Sequence, residues 1–346
     1  MKFKQIQILW PITLLLIQSC MRFDLPEVPL NADIKVQEEQ DYTLNRISFI
    51  TDNINSQLIN KKLTYNDLFD RVFDISIYED KFIYQSSEEE KTNIYLKTMN
   101  KQIKKKLTNL NLVWDGCFAN NDENFAYVYA VGGFVNIYKD ELIGSRNRER
   151  ITDVRTWTVN PMFSNDDSKI IYAKRDRTGG NISEKDGREI PEYKYFIYEY
   201  DVEKKENTNY WIGYNPCYFP NDNNKIAYVK ISNTYPEIWI GDLTTGEEKL
   251  LLSDDKVGFI QPVVSPDGRR IAFSSLSKVG EEEQNFDVYI VNTDGTNKRQ
   301  ITYHPGNDYC PKWSKDGNSI YFVSQRGNRG GKYCIWKISL TTYQIM

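Results

Sequence analysis

"PVVSPDGRRIAFSS", residues 262–275, reads as a strand, a tight turn and a second strand. An apolar stretch precedes the Asp-Gly pair and an alternating stretch follows it, which is the short-range signature of a β-hairpin. Nearly the same phrase returns at residues 311–324 as "PKWSKDGNSIYFVS". The recurrence predicts a structural repeat rather than a single hairpin.

The repeat has six copies. With substitutions at the turn, the phrase is found again at residues 74–85, 117–128, 162–173 and 218–229. In every copy the second strand carries an apolar residue and, two positions later, an aromatic one, so both lie on one face of the strand. These pairs are Phe82 and Tyr84, Phe125 and Tyr127, Ile170 and Tyr172, Ile226 and Tyr228, Ile271 and Phe273, and Ile320 and Phe322.

A third and a fourth strand follow each hairpin. The third is marked by a β-branched residue next to an aromatic one, as in Ile94-Tyr95 and Val288-Tyr289. The fourth is clearest where residues 93–108 align with residues 287–302 without a gap. Core residues of successive copies are 43 to 56 positions apart, and four strands in a unit of that length are typical of a β-propeller blade. We therefore predict an all-β fold, a six-bladed β-propeller of four-stranded antiparallel blades.

The two ends of the repeat region complement each other. The sixth copy has no fourth strand, whereas "LINKKLT", residues 58–64, stands before the first copy with no strands of its own. A ring that is left open would expose unpaired strand edges at its seam. We therefore predict that residues 58–64 supply the outer strand of the last blade and that the propeller spans residues 58–346.

The quoted repeats resemble a known family. "SPDGRRIAF" at residues 265–273, with residues 287–302 after it, is similar to the repeat of TolB-like β-propellers. The resemblance implies a six-bladed propeller in an exported protein. It differs from TolB itself in one respect, because only 38 residues separate Cys20 from Leu58 where TolB has an α/β domain. A role in the Tol system is therefore not expected.

The N-terminus has the pattern of an export signal. Two lysines precede the apolar run at residues 8–17, which is too short to span a bilayer. The residues Ile17, Ser19 and Cys20 resemble the lipobox of bacterial lipoproteins. We expect a lipoprotein signal peptide at residues 1–19, lipidation of Cys20 and a tether over residues 20–57. The expected location is the cell envelope, with outer-membrane anchoring that faces the periplasm or the cell surface; an ordinary cleaved signal is the alternative.

Catalytic chemistry has little support in the sequence. The chain has one histidine, His304, and no nucleophile elbow of the form G-x-S-x-G. Clusters of Asp and Asn align with the Asp-Gly turns and are interpreted as turn residues rather than as calcium ligands. We predict no catalytic residue, metal or cofactor. We expect Cys117, Cys217, Cys310 and Cys334 to be thiols, because the first and third strands of a blade are too far apart for a disulfide.

Charge and loop length indicate the class of partner and where it binds. The net charge is −4 and no basic stripe is apparent, so nucleic acid is not expected as a partner. The protein is expected to be a monomer. The aromatics of strands two and three are 11 positions apart in copies one, two and four, but 26, 16 and 14 positions apart in copies three, five and six. These connections and those between blades emerge on one face of the ring, the long-loop face, whereas the Asp-Gly turns lie on the opposite turn face.

Binding residues concentrate on loops that a rigid scaffold holds. The sequence therefore predicts a ligand site at the mouth of the channel on the long-loop face. The candidate residues are Tyr65, Trp157, Arg175, Tyr214, Tyr303, His304, Asp308 and Arg326. The predicted function is a protein- or glycan-binding module of the envelope. An exported propeller enzyme such as a polysaccharide lyase, or a structural subunit of an envelope complex, is the alternative.

Overall fold

A computed structural model describes most of the propeller region. The described residues are 60–62, 75–78, 81–88, 91–98, 104–121, 123–143, 148–182, 189–232, 235–279, 283–304, 306–324 and 334–340. Within these ranges the regular structure consists of β-strands, and they form six four-stranded sheets. The prediction of an all-β, six-bladed propeller is confirmed.

Each blade is an antiparallel meander. Blade 1 contains β2 (Ile75–Tyr78), β3 (Lys81–Glu88), β4 (Lys91–Thr98) and β5 (Lys104–Lys106); blade 2 contains β6 (Val113–Phe118), β7 (Asn124–Val131), β8 (Phe134–Glu141) and β9 (Glu149–Arg150). Blade 3 contains β10 (Thr158–Phe163), β11 (Lys169–Ile182), β12 (Glu189–Asp201) and β13 (Glu206–Ile212); blade 4 contains β14 (Tyr214–Phe219), β15 (Asp222–Lys230), β16 (Glu237–Asp242) and β17 (Glu248–Leu252). Blade 5 contains β18 (Phe259–Val264), β19 (Arg270–Val279), β20 (Glu283–Asn292) and β21 (Arg299–Gln300); blade 6 contains β22 (Asp308–Trp313), β23 (Ser319–Ser324), β24 (Cys334–Ser339) and β1 (Asn60–Lys62). The first strands of neighbouring blades contact one another around the ring, so they are the innermost strands and border its axis.

The N-terminal strand closes the ring as predicted. Strand β1 pairs antiparallel with β24, with Asn60 opposite Ile338 and Lys62 opposite Trp336. The last blade therefore has its fourth strand from the start of the propeller. Such a closure ties the two ends of the domain together and covers the outer edge of β24.

The aromatic residues that mark the repeat face each other within the blades. In every blade the aromatic of strand two lies opposite the aromatic of strand three, as Tyr127 lies opposite Tyr138 and Phe273 opposite Tyr289. The ring centroids of these two pairs are 6.0 Å and 5.7 Å apart in stacked arrangements. Cross-strand aromatic pairs stabilise a sheet beyond their buried area. The sequence marker of the repeat is therefore a packing unit.

A pair of buried hydrogen bonds, here called the clip, explains the threonine that follows several fourth strands. The Thr302 hydroxyl donates to Asp287 at 3.0 Å and accepts from the backbone N–H of Val288 at 2.9 Å. Thr108 makes the same two contacts with Asn93 and Ile94 in blade 1. The clip satisfies polar groups that would be costly to bury alone, and it fixes strand four against strand three.

The long connections of blades 3 and 5 are hairpins rather than loops. In blade 3 the pairing of β11 with β12 continues to Ile182 opposite Glu189, with a bulge between Arg177 and Gly179. Blade 2 instead turns at once through Gly132 and Gly133, which have φ of 62° and 82°. At about 3.3 Å per residue, the six extra residues of β11 make the blade 3 hairpin about 20 Å longer than its neighbour's. Strands β19 and β20 of blade 5 are extended in the same way, to Val279 opposite Glu283.

The cysteines agree with the prediction where they are described. Cys117, Cys217 and Cys310 carry thiols rather than disulfides. The side chain of Cys334 lies outside the described set, although its strand β24 is separated from β22 by β23, as expected. Among the described residues, none belongs to a helix long and apolar enough to cross a bilayer.

Candidate functional site

On the turn face, the connections between strands one and two are short and internally bonded. The Ser314 hydroxyl donates to Asp316 at 2.5 Å and accepts from the backbone N–H of Ser319 at 2.9 Å. Ser265 with Asp267, and Ser164 with Asp166, form the same turn. The carboxylates of these aspartates are used inside the turn, as the sequence interpretation had it.

These hydrogen bonds lower the pKa of the turn carboxyls. Hydrogen bonds from the hydroxyls of Ser164 and Ser168 lower the pKa of Asp166 to about 2, because donors to a carboxylate stabilise its charged form. The Ser314 hydroxyl lowers the pKa of Asp316 in the same way.

Hydrogen bonds also join neighbouring turns of the turn face. Asp167 accepts from the backbone N–H groups of Asn120 and Asn121 in the preceding blade, at 2.7 Å and 2.8 Å. Asn165 donates its backbone N–H to Asn223 in the following blade at 2.9 Å. The turns of blades 2, 3 and 4 thus form one bonded surface.

The long-loop face presents an arginine held between two aromatic rings. Arg175 lies at the base of the blade 3 hairpin, and its guanidinium carbon is 4.3 Å from the ring centroid of Tyr193 and 5.6 Å from that of Trp157. Arg175 is exposed, Tyr193 is 44% exposed and Trp157 is half-buried. The backbone N–H of Arg175 donates to the Trp157 carbonyl at 2.8 Å, which fixes the hairpin base against the innermost strand.

The Arg175 guanidinium makes no hydrogen bond or ion pair with any described residue. Stacking on aromatic faces orients the planar group while its five N–H donors stay available. Such an arginine suits a carboxylate, a phosphate or a peptide carbonyl. Two of the predicted site residues, Trp157 and Arg175, are therefore brought together, with Tyr193 as a third member that the sequence analysis did not single out.

Three other candidates lie where blade 5 leads into blade 6, with Tyr303 and His304 in the connection and Asp308 at the start of strand β22. Tyr303 is half-buried, while His304 and Asp308 are 7% and 0% exposed. The Nδ1 atom of His304 accepts from the backbone N–H of Gly306 at 3.0 Å, and its carbonyl accepts from Asn285. These contacts order the connection, and Tyr303 is the most accessible of the three.

The remaining candidates have different positions. Tyr214 is 5% exposed and packs in the interior, with its ring centroid 6.4 Å from that of Tyr195. Burial raises its pKa. Tyr65, Arg326 and the predicted lipidation site Cys20 lie outside the described residues.

Exposed apolar side chains are concentrated on the long-loop face. Most large hydrophobic residues that the described part of the chain exposes lie in, or next to, its connections on that face. They are Leu112, Val131, Val154, Tyr193, Ile212 and Ile231. On the turn face, the only such described residue is Ile143. Clustered exposed apolar groups are typical of interaction surfaces.

A polar collar around the channel was not predicted. Each innermost strand of blades 2 to 6 contains a bulge whose residue has a left-handed backbone, with φ between 48° and 55°. These residues are Asp115, Asn160, Asn215, Gln261 and Cys310. A glycine or proline follows each of them, and this recurring dipeptide is the sequence signal that could have revealed the collar.

Collar side chains bond from one blade to the next. Asp115 accepts from the backbone N–H of Asn160 at 3.1 Å, and Asn160 accepts from that of Asn215 at 3.3 Å. Gln261 accepts from the N–H of Cys310 at 2.9 Å. The collar therefore links the innermost strands directly and borders the channel with polar groups. In the described part of the chain, no three His, Cys, Asp or Glu side chains are grouped as metal ligands.

Comparisons with known proteins agree with this architecture. Residues 182–345 match the family model of the TolB beta propeller domain. A curated relative, dipeptidyl-peptidase 5 of Porphyromonas gingivalis, is 35% identical over 65 residues, which are 18% of this chain and 10% of that protein. The chain thus matches only a small part of that relative's length.

Two solved structures share the fold. TolB from Acinetobacter baumannii superposes with a TM-score of 0.57 at 18% identity, covering 72% of this chain and 60% of that one. An oligogalacturonate lyase from Vibrio parahaemolyticus superposes with a TM-score of 0.55 at 13% identity, covering 83% and 94% of the two chains. The six closed blades thus share the fold of the TolB β-propeller, and the repeats of the second half match its family model.

Proposed function

We propose that the protein is a lipid-anchored binding module of the cell envelope that takes a protein or glycan ligand on the long-loop face. The observation that carries the proposal is the Arg175 site, in which Trp157 and Tyr193 hold an exposed guanidinium that has no carboxylate partner among the described residues. Among the described residues, the turn face offers no equivalent, because its polar groups are bonded to one another.

The surroundings of Arg175 favour contact with a protein. Three side chains expose aliphatic surface on this face: Leu112 between blades 1 and 2, Val131 at the end of strand β7 in blade 2, and Val154 between blades 2 and 3. Aliphatic side chains of this kind are buried at the centre of protein interfaces, with arginine and aromatic residues as the groups that contribute most of the binding energy. Trp157 and Tyr193 would equally stack on a sugar ring, so the ligand screen must cover both classes.

The first experiment identifies the ligand and then locates its site. Solubilised envelope is passed over the immobilised protein, and glycan arrays that include acidic polysaccharides are probed in parallel. With the captured ligand, Trp157→Ala and Tyr303→Ala should each weaken binding about tenfold or more, as expected for a central aromatic contact. Asp267→Ala and Asp316→Ala on the turn face serve as controls and should leave the affinity unchanged.

Two results would contradict this proposal. If the turn-face variants lose affinity while Trp157→Ala and Tyr303→Ala keep it, in proteins shown to be folded, the ligand binds the other face. If an acidic polysaccharide is cleaved rather than retained, the protein is an enzyme and not a binding module.

The anchor is tested separately. Cys20→Ala should move the protein from the membrane fraction to the soluble periplasm, because the thiol is the atom that would carry the lipid. Unchanged fractionation would exclude the lipid anchor and would leave the long-loop site unaffected.

A further inference from the structure

The outer rim of the ring has an uneven charge distribution that the composition conceals. Strands β4 and β5 of blade 1 contain five lysines and no acidic residue. Strands β24 and β1 of blade 6 contribute Lys337, Lys61 and Lys62, again without an acidic residue. We name the outer strands β4, β5, β24 and β1 the basic rim.

The opposite side of the ring is acidic. Strands β16 and β17 of blade 4 with their turn, Glu237–Leu252, contain four acidic residues and one lysine. Blades 1 and 6 are neighbours, since Phe82 and Tyr84 pack in one cluster with Tyr321 and Val323. The basic strands therefore come from distant parts of the sequence and are joined only by the closure of the ring.

Two lysines of strand β5 lie at the surface of the rim. Lys105 and Lys106 are exposed. The Lys105 ammonium donates to the Leu142 carbonyl at 3.2 Å, and the Lys337 ammonium lies 5.3 Å from the centroid of the Tyr321 ring. Neither Lys105 nor Lys337 forms an ion pair with a described residue.

The N-terminal segment enters the propeller on this same rim, because it leads into β1 at the outer edge of blade 6. We propose that the basic rim rests on an anionic phospholipid surface. Lysines near such a surface each contribute about 1 kcal/mol of attraction, which falls off within a Debye length. The rim-down orientation leaves both faces of the ring accessible from the side. The inference takes the lipid anchor from the proposed function, but the lysines support it independently.

The test footprints lysines of the full chain carrying Cys20→Ala, so that no lipid contributes. The protein is mixed with vesicles of phosphatidylglycerol or of phosphatidylcholine, acylated with an amine-reactive reagent and analysed by mass spectrometry. Lys105 and Lys106 should be protected several-fold on phosphatidylglycerol only, and high salt should remove the protection. Lys204 and Lys249, exposed on blades 3 and 4, are the matched controls and should react equally in all samples.

A charge-reversal pair provides the second measurement. Lys105→Glu with Lys106→Glu should weaken co-sedimentation with phosphatidylglycerol vesicles by about tenfold or more, given the contribution of each lysine. Lys204→Glu with Lys249→Glu changes the net charge equally and should have a much smaller effect. Equal losses in the two double variants, or rim lysines that stay reactive on bound vesicles, would overturn the proposal, while the result of the Cys20→Ala fractionation would still stand. Tighter binding to an acidic polysaccharide or a nucleic acid than to the vesicles would overturn it as well.

Discussion

Two arginines stack on tryptophans at opposite faces of the ring, and their contacts differ. Arg270 on the turn face lies 4.7 Å from the centroid of Trp313, donates to the carbonyl of Gly317 in blade 6 at 3.3 Å and is 3.8 Å from Asp267. Arg175 on the long-loop face has the aromatic stacking but no polar partner in the described chain. The same chemistry thus stabilises the fold at one face and leaves donors available at the other.

This comparison separates a face that holds the blades together from a face on which side chains remain available. If it is correct, substitutions near the turn face should lower the free energy of unfolding, whereas substitutions on the long-loop face should leave stability nearly unchanged. Four pairs of variants test the stability of the fold and of the two faces.

The largest effect is expected at Glu199, a 4% exposed residue on the turn-face half of strand β12. Its carboxylate accepts from Lys169 and from Tyr218, each at 2.7 Å. Glu199→Ala leaves these donors without their acceptor and should lower the free energy of unfolding by about 3 kcal/mol. The control is Glu192→Ala on the same strand, where the ion pair with Lys194 is exposed and should contribute at most about 0.5 kcal/mol. Urea denaturation measures both, and equal losses would contradict the comparison.

A gain in stability is expected at Gln85. It is 1% exposed, and neither its Nε2 nor its Oε1 atom has a hydrogen-bond partner in the described structure. Strand pairing places it opposite Ile94, as Val128 lies opposite Ile137 and Val323 opposite Ile335. Gln85→Val should therefore raise the free energy of unfolding by about 1–2 kcal/mol, since it removes an unsatisfied buried amide.

Chemical denaturation of Gln85→Val measures this gain. Gln85→Asn, which keeps an amide but shortens the side chain, is the control and should destabilise the protein. A loss of stability in Gln85→Val would show that the amide has a partner that contributes to the fold.

The two arginines give the most direct comparison. Arg270→Ala should cost about 1 kcal/mol or more, because it removes a hydrogen bond and a cation–π contact between blades. Arg175→Ala removes an exposed side chain and should change the free energy of unfolding by less than about 0.5 kcal/mol. It should lower the affinity for the ligand of the long-loop face. Thermal denaturation and ligand binding are measured on both variants. If Arg270→Ala instead lowers the affinity for the ligand and Arg175→Ala lowers stability, the ligand binds the turn face and the comparison is wrong.

The smallest effect concerns pH. Because the pKa of Asp166 is lowered to about 2 from an ordinary value of 3.8, its ionised form contributes stability that is fully present above about pH 4 and is lost as the pH falls towards 2. Asp166→Asn should therefore flatten the fall of the melting temperature slightly between pH 4 and pH 2. Asp176→Asn, which replaces a carboxylate outside the turns, is the control. A pH profile identical to that of the wild type would show that the serine hydroxyls do not stabilise this carboxylate.

Much of the architecture follows from local patterns. An apolar residue followed two positions later by an aromatic one, as Ile271 is by Phe273, recurs six times and predicts strands with one aromatic face. The turn between strands one and two predicts the hairpins. Lys61 and Lys62 were placed in the last blade by counting strands, and the structure confirms that placement. Period-two alternation and turn chemistry are properties of a few consecutive residues, so the sequence displays them directly.

The chemistry of the surface was less accessible to sequence analysis. Trp157 and Arg175 were predicted for one mouth, but their contact and the role of Tyr193 depend on a hairpin that the sequence presented as a loop. Tyr214 was predicted to lie at the mouth because its position in the repeat is that of a connection between blades, yet packing against Tyr195 buries it.

By itself, then, the sequence determined the number of blades, their four strands, the closure by an N-terminal strand and the identity of the two faces, since each is encoded in local periodicity and strand count. Only the tertiary structure decided which side chains meet across blades. The collar of Asp115, Asn160 and Gln261 forms because backbone bulges of successive blades come within hydrogen-bond distance. The basic rim forms because closure places strand β1 at the outer edge of blade 6, and blade 6 packs against blade 1. Both depend on contacts between residues far apart in the chain. The recurring dipeptide marks the bulges of the collar, but no local pattern specifies which residues they contact.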